Sequence, residues 1–243
     1  MSKGVFSHRV VAVVVALMLA ACLGTAGWAE GDAPPTVDLE IDDWFIPQGL
    51  TDIVARFREL EWSWRESDSA EDGEEFRVGY HLVGDGVVEG QQTTEVELVV
   101  NGDSWRIWLA PDGSVVQVEV DGELLPPGYA HMVSGPMLTG LFWPFTMVEY
   151  YGVGQALAQA GPGWEFHAVG AGVRQLGDLQ VPVHEIQLAM SGPPHLAPGE
   201  RVELVWTVAD FGAFEMLVEW RVTEDEAAGV TALLMQVERV VLR

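Results

Sequence analysis

Cysteine and lysine are almost missing from this chain. Its 243 residues hold one cysteine, Cys22, and 12 basic residues, of which only Lys3 is a lysine. A single cysteine cannot close an internal disulfide, so stability has to come from a packed core. With 49% hydrophobic residues and 10 tryptophans, the material for one is present. Positive charge is scarce: 37 acids against 12 bases give a net charge of −25. A field of that sign repels phosphate backbones and anionic head groups, which sets nucleic-acid binding aside. Catalytic signatures are missing too. There is no GxSxG, SxxK, HExxH or P-loop, and no cysteine nucleophile. His81, His131, His167, His184 and His195 form no i, i+4 pair, which speaks against zinc. His167 and His184 are spaced to face each other across neighbouring strands beside Glu185, but ordinary strand histidines are the expectation. The acidic stretch from Asp68 matches a calcium loop only in part, because Ala70 cannot ligate and Gly79 stands where a bidentate Glu belongs. No enzymatic activity, cofactor or metal is expected.

What is present begins with a leader. Lys3 and Arg9 form a basic start, Val10–Leu19 is an unbroken apolar stretch of ten, and small residues then lead to Glu30-Gly31-Asp32. That order is an export signal, and its apolar core is short of the about 20 residues a membrane span needs. Two processing sites stay open. Leu19-Ala20-Ala21-Cys22 resembles a lipobox, whose cysteine thiol takes a diacylglycerol before cleavage; residues 1–21 are then the signal peptide. Gly27-Trp28-Ala29 offers small residues to an ordinary signal peptidase, which would remove 1–29 instead. Lipidation of Cys22 is the expectation, with the protein anchored by lipid on the periplasmic or extracellular face of a bacterial membrane. Without Lys3 and Arg9 the exported part carries 10 − 37 = −27.

Residues 22–48 read as an acidic tether in which Val37, Leu39 and Ile41 admit a short edge strand. Residues 49–243 read as a single β-rich domain. Thr51 as N-cap, Asp52 in the first turn, and Ile53, Val54, Phe57 and Leu60 at helical spacing predict a helix over about 51–60. From Leu60 the period changes to two, through Trp62 and Trp64, then Phe76, Val78, Tyr80 and Leu82. Gly84-Asp85-Gly86 is expected to turn the chain, and Asn101-Gly102 is a strong hairpin signal. Pro111-Asp112-Gly113, Asp121-Gly122, Gly177-Asp178 and Phe211-Gly212 punctuate further strands, about ten in all. Their alternation predicts an antiparallel meander with one apolar face and one wet, acidic face.

An interruption divides the strands. The 41 residues between Glu123 and Glu165 carry one formal charge, Glu149, and are broken by Pro126, Pro127, Pro136 and Pro144. Short helices around 137–151 and 153–160 are expected there. One reading makes the segment a helical cover that completes the core of a one-sided sheet. The other makes it a lid over a cavity for a hydrophobic ligand, with Met137, Leu141, Phe142, Trp143 and Phe145 facing Trp62, Trp105 and Trp206.

The layout of residues 50–243 resembles the LolA/LolB-type lipoprotein-carrier superfamily, with its LppX-type lipoproteins and RseB sensor domain. The local echoes are GVRQLGDLQVPVHEIQLAMSG from Gly172 and the strand-turn-strand pair ELVWTVADFGAFEMLVEWRV from Glu203. No functional residue of that group carries over. The resemblance implies an unclosed half-barrel holding acyl chains on its concave face under helical lids. The expectation is therefore a mainly β half-barrel of about ten strands, one N-terminal helix and a mid-chain helical lid. Its function would be non-enzymatic binding of a lipid or lipoprotein acyl chain by a monomer in the cell envelope. The alternative is an envelope sensor or protein-interaction module that takes no small ligand.

Overall fold

Among the described residues, apolar–polar alternation yields eleven strands, all in one antiparallel sheet. The computed structural model describes residues 44–47, 49–66, 75–126, 129, 141, 145, 164–191, 201–224 and 231–243. The leader with both processing sites, the 37–41 stretch and the acidic 67–74 turn lie outside the described residues. So does most of the mid-chain segment. After helix α1 (Leu50–Arg56) come β1 (Phe57–Glu66), β2 (Glu75–Val88), β3 (Gln91–Val100), β4 (Asp103–Leu109), β5 (Val115–Val120) and β6 (Glu123–Leu124). Beyond the interruption are β7 (Trp164–Leu176), β8 (Leu179–Ser191), β9 (Arg201–Asp210), β10 (Glu215–Glu224) and β11 (Thr231–Leu242). The fold is mainly β, an open curved half-barrel.

Helix α1 is shorter than its apolar spacing predicts. Its N-cap is Gly49, not Thr51, and Phe57 is already extended at φ −120, ψ 145. Phe57 and Leu60, three residues apart, suit a helical period; a bulge between Phe57 and Glu59 lets both be buried in a strand, and pairing of β1 with both β2 and β11 decides for the strand. The predicted turn at Gly84-Asp85-Gly86 is also displaced. Gly84, at φ 154, sits at a bulge where the register skips between Leu82 and Gly84, and β2 runs on to Val88. A type I′ hairpin needs two successive positive φ values, and Glu89 (φ 51) with Gly90 (φ 83) supplies them. Asn101-Gly102 (φ 50, 95) and Asp121-Gly122 (φ 49, 85) turn as expected.

The strand order is β6-β5-β4-β3-β2-β1-β11-β10-β9-β8-β7. Two meanders are joined at a seam where the first strand pairs with the last. The seam puts β1 in the centre and the two ends of the interruption, β6 and β7, at opposite edges. The connection between those edges has to cross a face of the sheet. Its described residues Leu141 and Phe145 lie on the apolar one: both are buried, and Phe145 meets the Trp62 ring edge-on at 5.6 Å.

Helix α1 shows how far the sheet curls. Thr51 at one end lies against Gly113 in the β4–β5 turn. Arg56 at the other end lies over the ring of Phe45 at 4.1 Å and of Phe214, in the β9–β10 turn, at 5.6 Å. In a flat sheet β4 and β10 would stand five strand spacings apart, roughly 24 Å. A seven-residue helix is about 10 Å long. Only a curled sheet brings both turns to it. Trp44 extends this end by a parallel bridge to Glu215.

The other face is not wet throughout, contrary to the alternation. The tip of the β7–β8 hairpin runs past the end of β9, where pairing stops at Val183 and Ala209. It folds back across β9 and β10 to β11. Gly177 donates its N–H to the Glu238 carbonyl at 2.9 Å, and Arg174 pairs with Glu219 on β10 at 2.6 Å. The tip's Leu176 and Val181 are buried, and Leu204 to Ala209 are buried without a break because β9 is covered on both sides. The change of buried parity along β8, from Val181 and Val183 to Ile186 and Leu188, marks the switch from one core to the other. Gly177 holds this contact at φ 62, with a Cβ there only 2.8 Å from Arg239 Cγ. Gly177→Ala is expected to cost about 1–2 kcal/mol, read as a lower urea midpoint at unchanged slope.

Candidate functional site

Strand register assembles the concave face row by row. One row runs Ile186–Trp206–Trp220–Met235–Trp64–Phe76 across six strands from β8 to β2. The next contains Val237, Trp62, Val78 and Val100. A third runs Val240–Leu60–Tyr80–Leu98–Trp105–Val120. None of these side chains carries a charge. The first row spans five strand spacings, roughly 24 Å, and is made of aromatic rings, a thioether and one aliphatic group. Such a surface suits a long apolar molecule laid across the strands, since rings and a flexible Met adapt to irregular contacts.

The opposite face holds the charge. Arg106 lies between Glu95 (3.1 Å) and Glu119 (3.8 Å), and Arg239 bonds Glu59 at 2.6 Å. Ser63 donates to Glu238 at 2.8 Å. Charges are thereby held away from the apolar rows. Among the described residues no group of His, Cys, Asp and Glu is arranged to hold a metal ion.

The residues expected to line a ligand site are brought together in part. Trp62 is 1% exposed, Leu141 5% and Phe145 1%; the Trp62 indole donates to the Leu141 carbonyl at 3.3 Å. Trp206 is 4% exposed and shares the first row with Trp220. Trp105 is on the same face but on β4, three strands from β1, and only partly buried. Met137, Phe142 and Trp143 lie outside the described residues.

Trp64, Phe76, Trp220 and Met235 read from the sequence as apolar strand positions, not as ligand-site residues. The register that aligns Trp220 with Trp206 depends on a bulge between Leu217 and Glu219; without it Glu219 would stand opposite Trp206. The histidine pair is corrected. His167 pairs with Gln187 and His184 with Ala171. The turn at Gly177-Asp178 sets Leu176 against Leu179. His167 is nine residues before that point and His184 five after it, so they cannot meet.

Tyr80, in the third row, has its phenol pushed above the ordinary range by burial, and its hydroxyl donates to the Phe57 carbonyl at 3.4 Å. A raised phenol means the unfolded chain releases its proton first, near pH 10. This contribution is complete below that pH and is lost as the pH rises above it. Tyr80→Phe is expected to flatten the alkaline fall in stability by up to about 1.4 kcal/mol per pH unit, read from urea unfolding between pH 9 and 11.

No family model and no curated protein matches the chain. Among solved structures it is similar to a protein from Bacteroides fragilis described as exported, with a YmcC-like fold, at 9% identity and a TM-score of 0.26, covering 77% of this chain and 99% of that one. It is similar to a protein from Parabacteroides distasonis described as a lipoprotein, at 8% identity and a TM-score of 0.25, covering 82% and 97%. A further likeness is to MucB in complex with periplasmic MucA, at 10% identity and a TM-score of 0.17, covering 76% and 89%. At these TM-scores the functional reading rests on the chain's own residues.

Proposed function

We propose that this is an exported, lipid-anchored, non-enzymatic protein of the bacterial envelope. It holds a hydrophobic ligand, a lipid or a lipoprotein acyl chain, on the concave face of the half-barrel. The observation that carries the reading is the uncharged face itself. A row of three tryptophans, a phenylalanine, a methionine and an isoleucine crosses six strands, in a chain with net charge −25. The segment from 124 to 164, whose Leu141 and Phe145 lie on that face, carries one charge in 41 residues. Leu141 and Phe145 would be the groups a ligand displaces from Trp62. The leader with Cys22 supports export and anchoring.

The test is a native mass spectrum of residues 30–243 purified gently from an exporting host. Extra mass that disappears on denaturation and extracts into organic solvent is the expected result. A clean apo mass across several preparations would make the segment between β6 and β7 a structural cover only.

A further inference from the structure

We infer that Trp220 is a polar handle on the concave face, its indole N–H donating to the carbonyl oxygen of an ester-linked acyl group. The inference rests on the lipid reading above and narrows it to a ligand class.

Trp220 is 5% exposed, and its Nε1 has no hydrogen-bond partner among the described residues. A buried N–H without an acceptor is costly, and buried indoles usually find one. One row away, Trp62 gives its N–H to the Leu141 carbonyl at 3.3 Å. The same donor chemistry at Trp220 is left unused by the described residues. An indole is a donor only, so the complementary group is an acceptor. It has to be an acceptor that tolerates apolar surroundings, since Trp206, Met235 and Ile186 share its row. A free carboxylate would enter this face as an unpaired charge, because the rows hold no cation to pair it. An ester carbonyl within an acyl lipid meets both conditions.

Three probes separate the possibilities in titrations of delipidated residues 30–243: palmitoyl lysophosphatidylcholine, its ether-linked analogue lacking the carbonyl, and palmitate. The ester is expected to bind about five- to tenfold more tightly than the ether, as one hydrogen bond allows, and more tightly than palmitate. In Trp220→Phe the ester loses this advantage while affinity for the ether is retained. In the wild type, the Trp220 indole proton is expected to move downfield in the NMR spectrum with the ester and not with the ether. That readout does not require the variant to fold. A tripalmitoylated lipopeptide, carried through the same series, distinguishes a lipidated protein from a free lipid as the source of the ester. Whichever is held more tightly must weaken by the same factor in Trp220→Phe. Equal binding of ester and ether, or an ester advantage that survives Trp220→Phe, overturns the handle and leaves the lipid site standing. Binding of none of the probes overturns the lipid site and the handle together.

Discussion

Trp62→Ala is expected to lower the free energy of unfolding by about 3–5 kcal/mol, the range for removing a large aromatic from a core. Trp62 stands on the central strand of the sheet, 1% exposed, between Val237 and Val78. Its ring takes Phe145 edge-on at 5.6 Å, and its N–H holds the Leu141 carbonyl. Alanine would leave a cavity at the middle of the concave face and remove the side chain to which the crossing segment is tied. Urea unfolding should show a much lower midpoint at unchanged slope. Limited proteolysis should become faster between residues 124 and 164. Trp62→Phe keeps a ring for Phe145 and gives up the hydrogen bond and some volume, so about 1–2 kcal/mol is expected. A loss below about 1 kcal/mol for Trp62→Ala would mean that Trp62 is not the packing centre of this face.

Gly113→Val is expected to cost about 2–4 kcal/mol through two separable effects. Gly113 has φ 83, a conformation poorly tolerated by a β-branched residue. A Cβ there also runs into Thr51 Oγ1 at the start of α1. The substitution should push the helix off the β4–β5 turn and loosen the end of the half-barrel where α1 bridges that turn and the β9–β10 turn. A double-mutant cycle with Gly113→Ala and Thr51→Ala separates the two effects. Removing the Thr51 hydroxyl and methyl should recover the steric part and leave the backbone part. Additive losses in that cycle would show that α1 does not bear on the turn.

Local grammar made most of the strands legible. Asn101-Gly102, Asp121-Gly122 and Gly177-Asp178 turn where their residues demand, because hairpin geometry is decided within a few residues. Features depending on partners distant in sequence were not legible. The seam between β1 and β11 joins residues about 180 apart, such as Leu60 and Val240. That seam converts an apparent helix end at Phe57 and Leu60 into strand. Bulges were missed for a related reason. One extra residue at Val83 or Val218 shifts every later pairing by one, and only the packed faces reveal the shift. The site shows the same division. The contact of Leu141 and Phe145 with Trp62 was legible, because an uncharged segment suits an apolar sheet face. The Trp206–Trp220 row needed the β10 bulge. The fold-back of the β7–β8 tip shows locally only as the parity change in β8.

The most direct measurement is fluorescence quenching by a lysophosphatidylcholine whose acyl chain carries bromine, against the same lipid without bromine. A bromine-bearing chain on the concave face should quench strongly and saturably. Replacing Trp206 and Trp220 with phenylalanine should remove a large share of that quenching. Replacing Trp108, which stands on the charged face opposite Glu95 and Gln117, should remove little. Absent quenching, or quenching lost with Trp108 and kept without Trp206 and Trp220, would contradict a lipid site on the concave face.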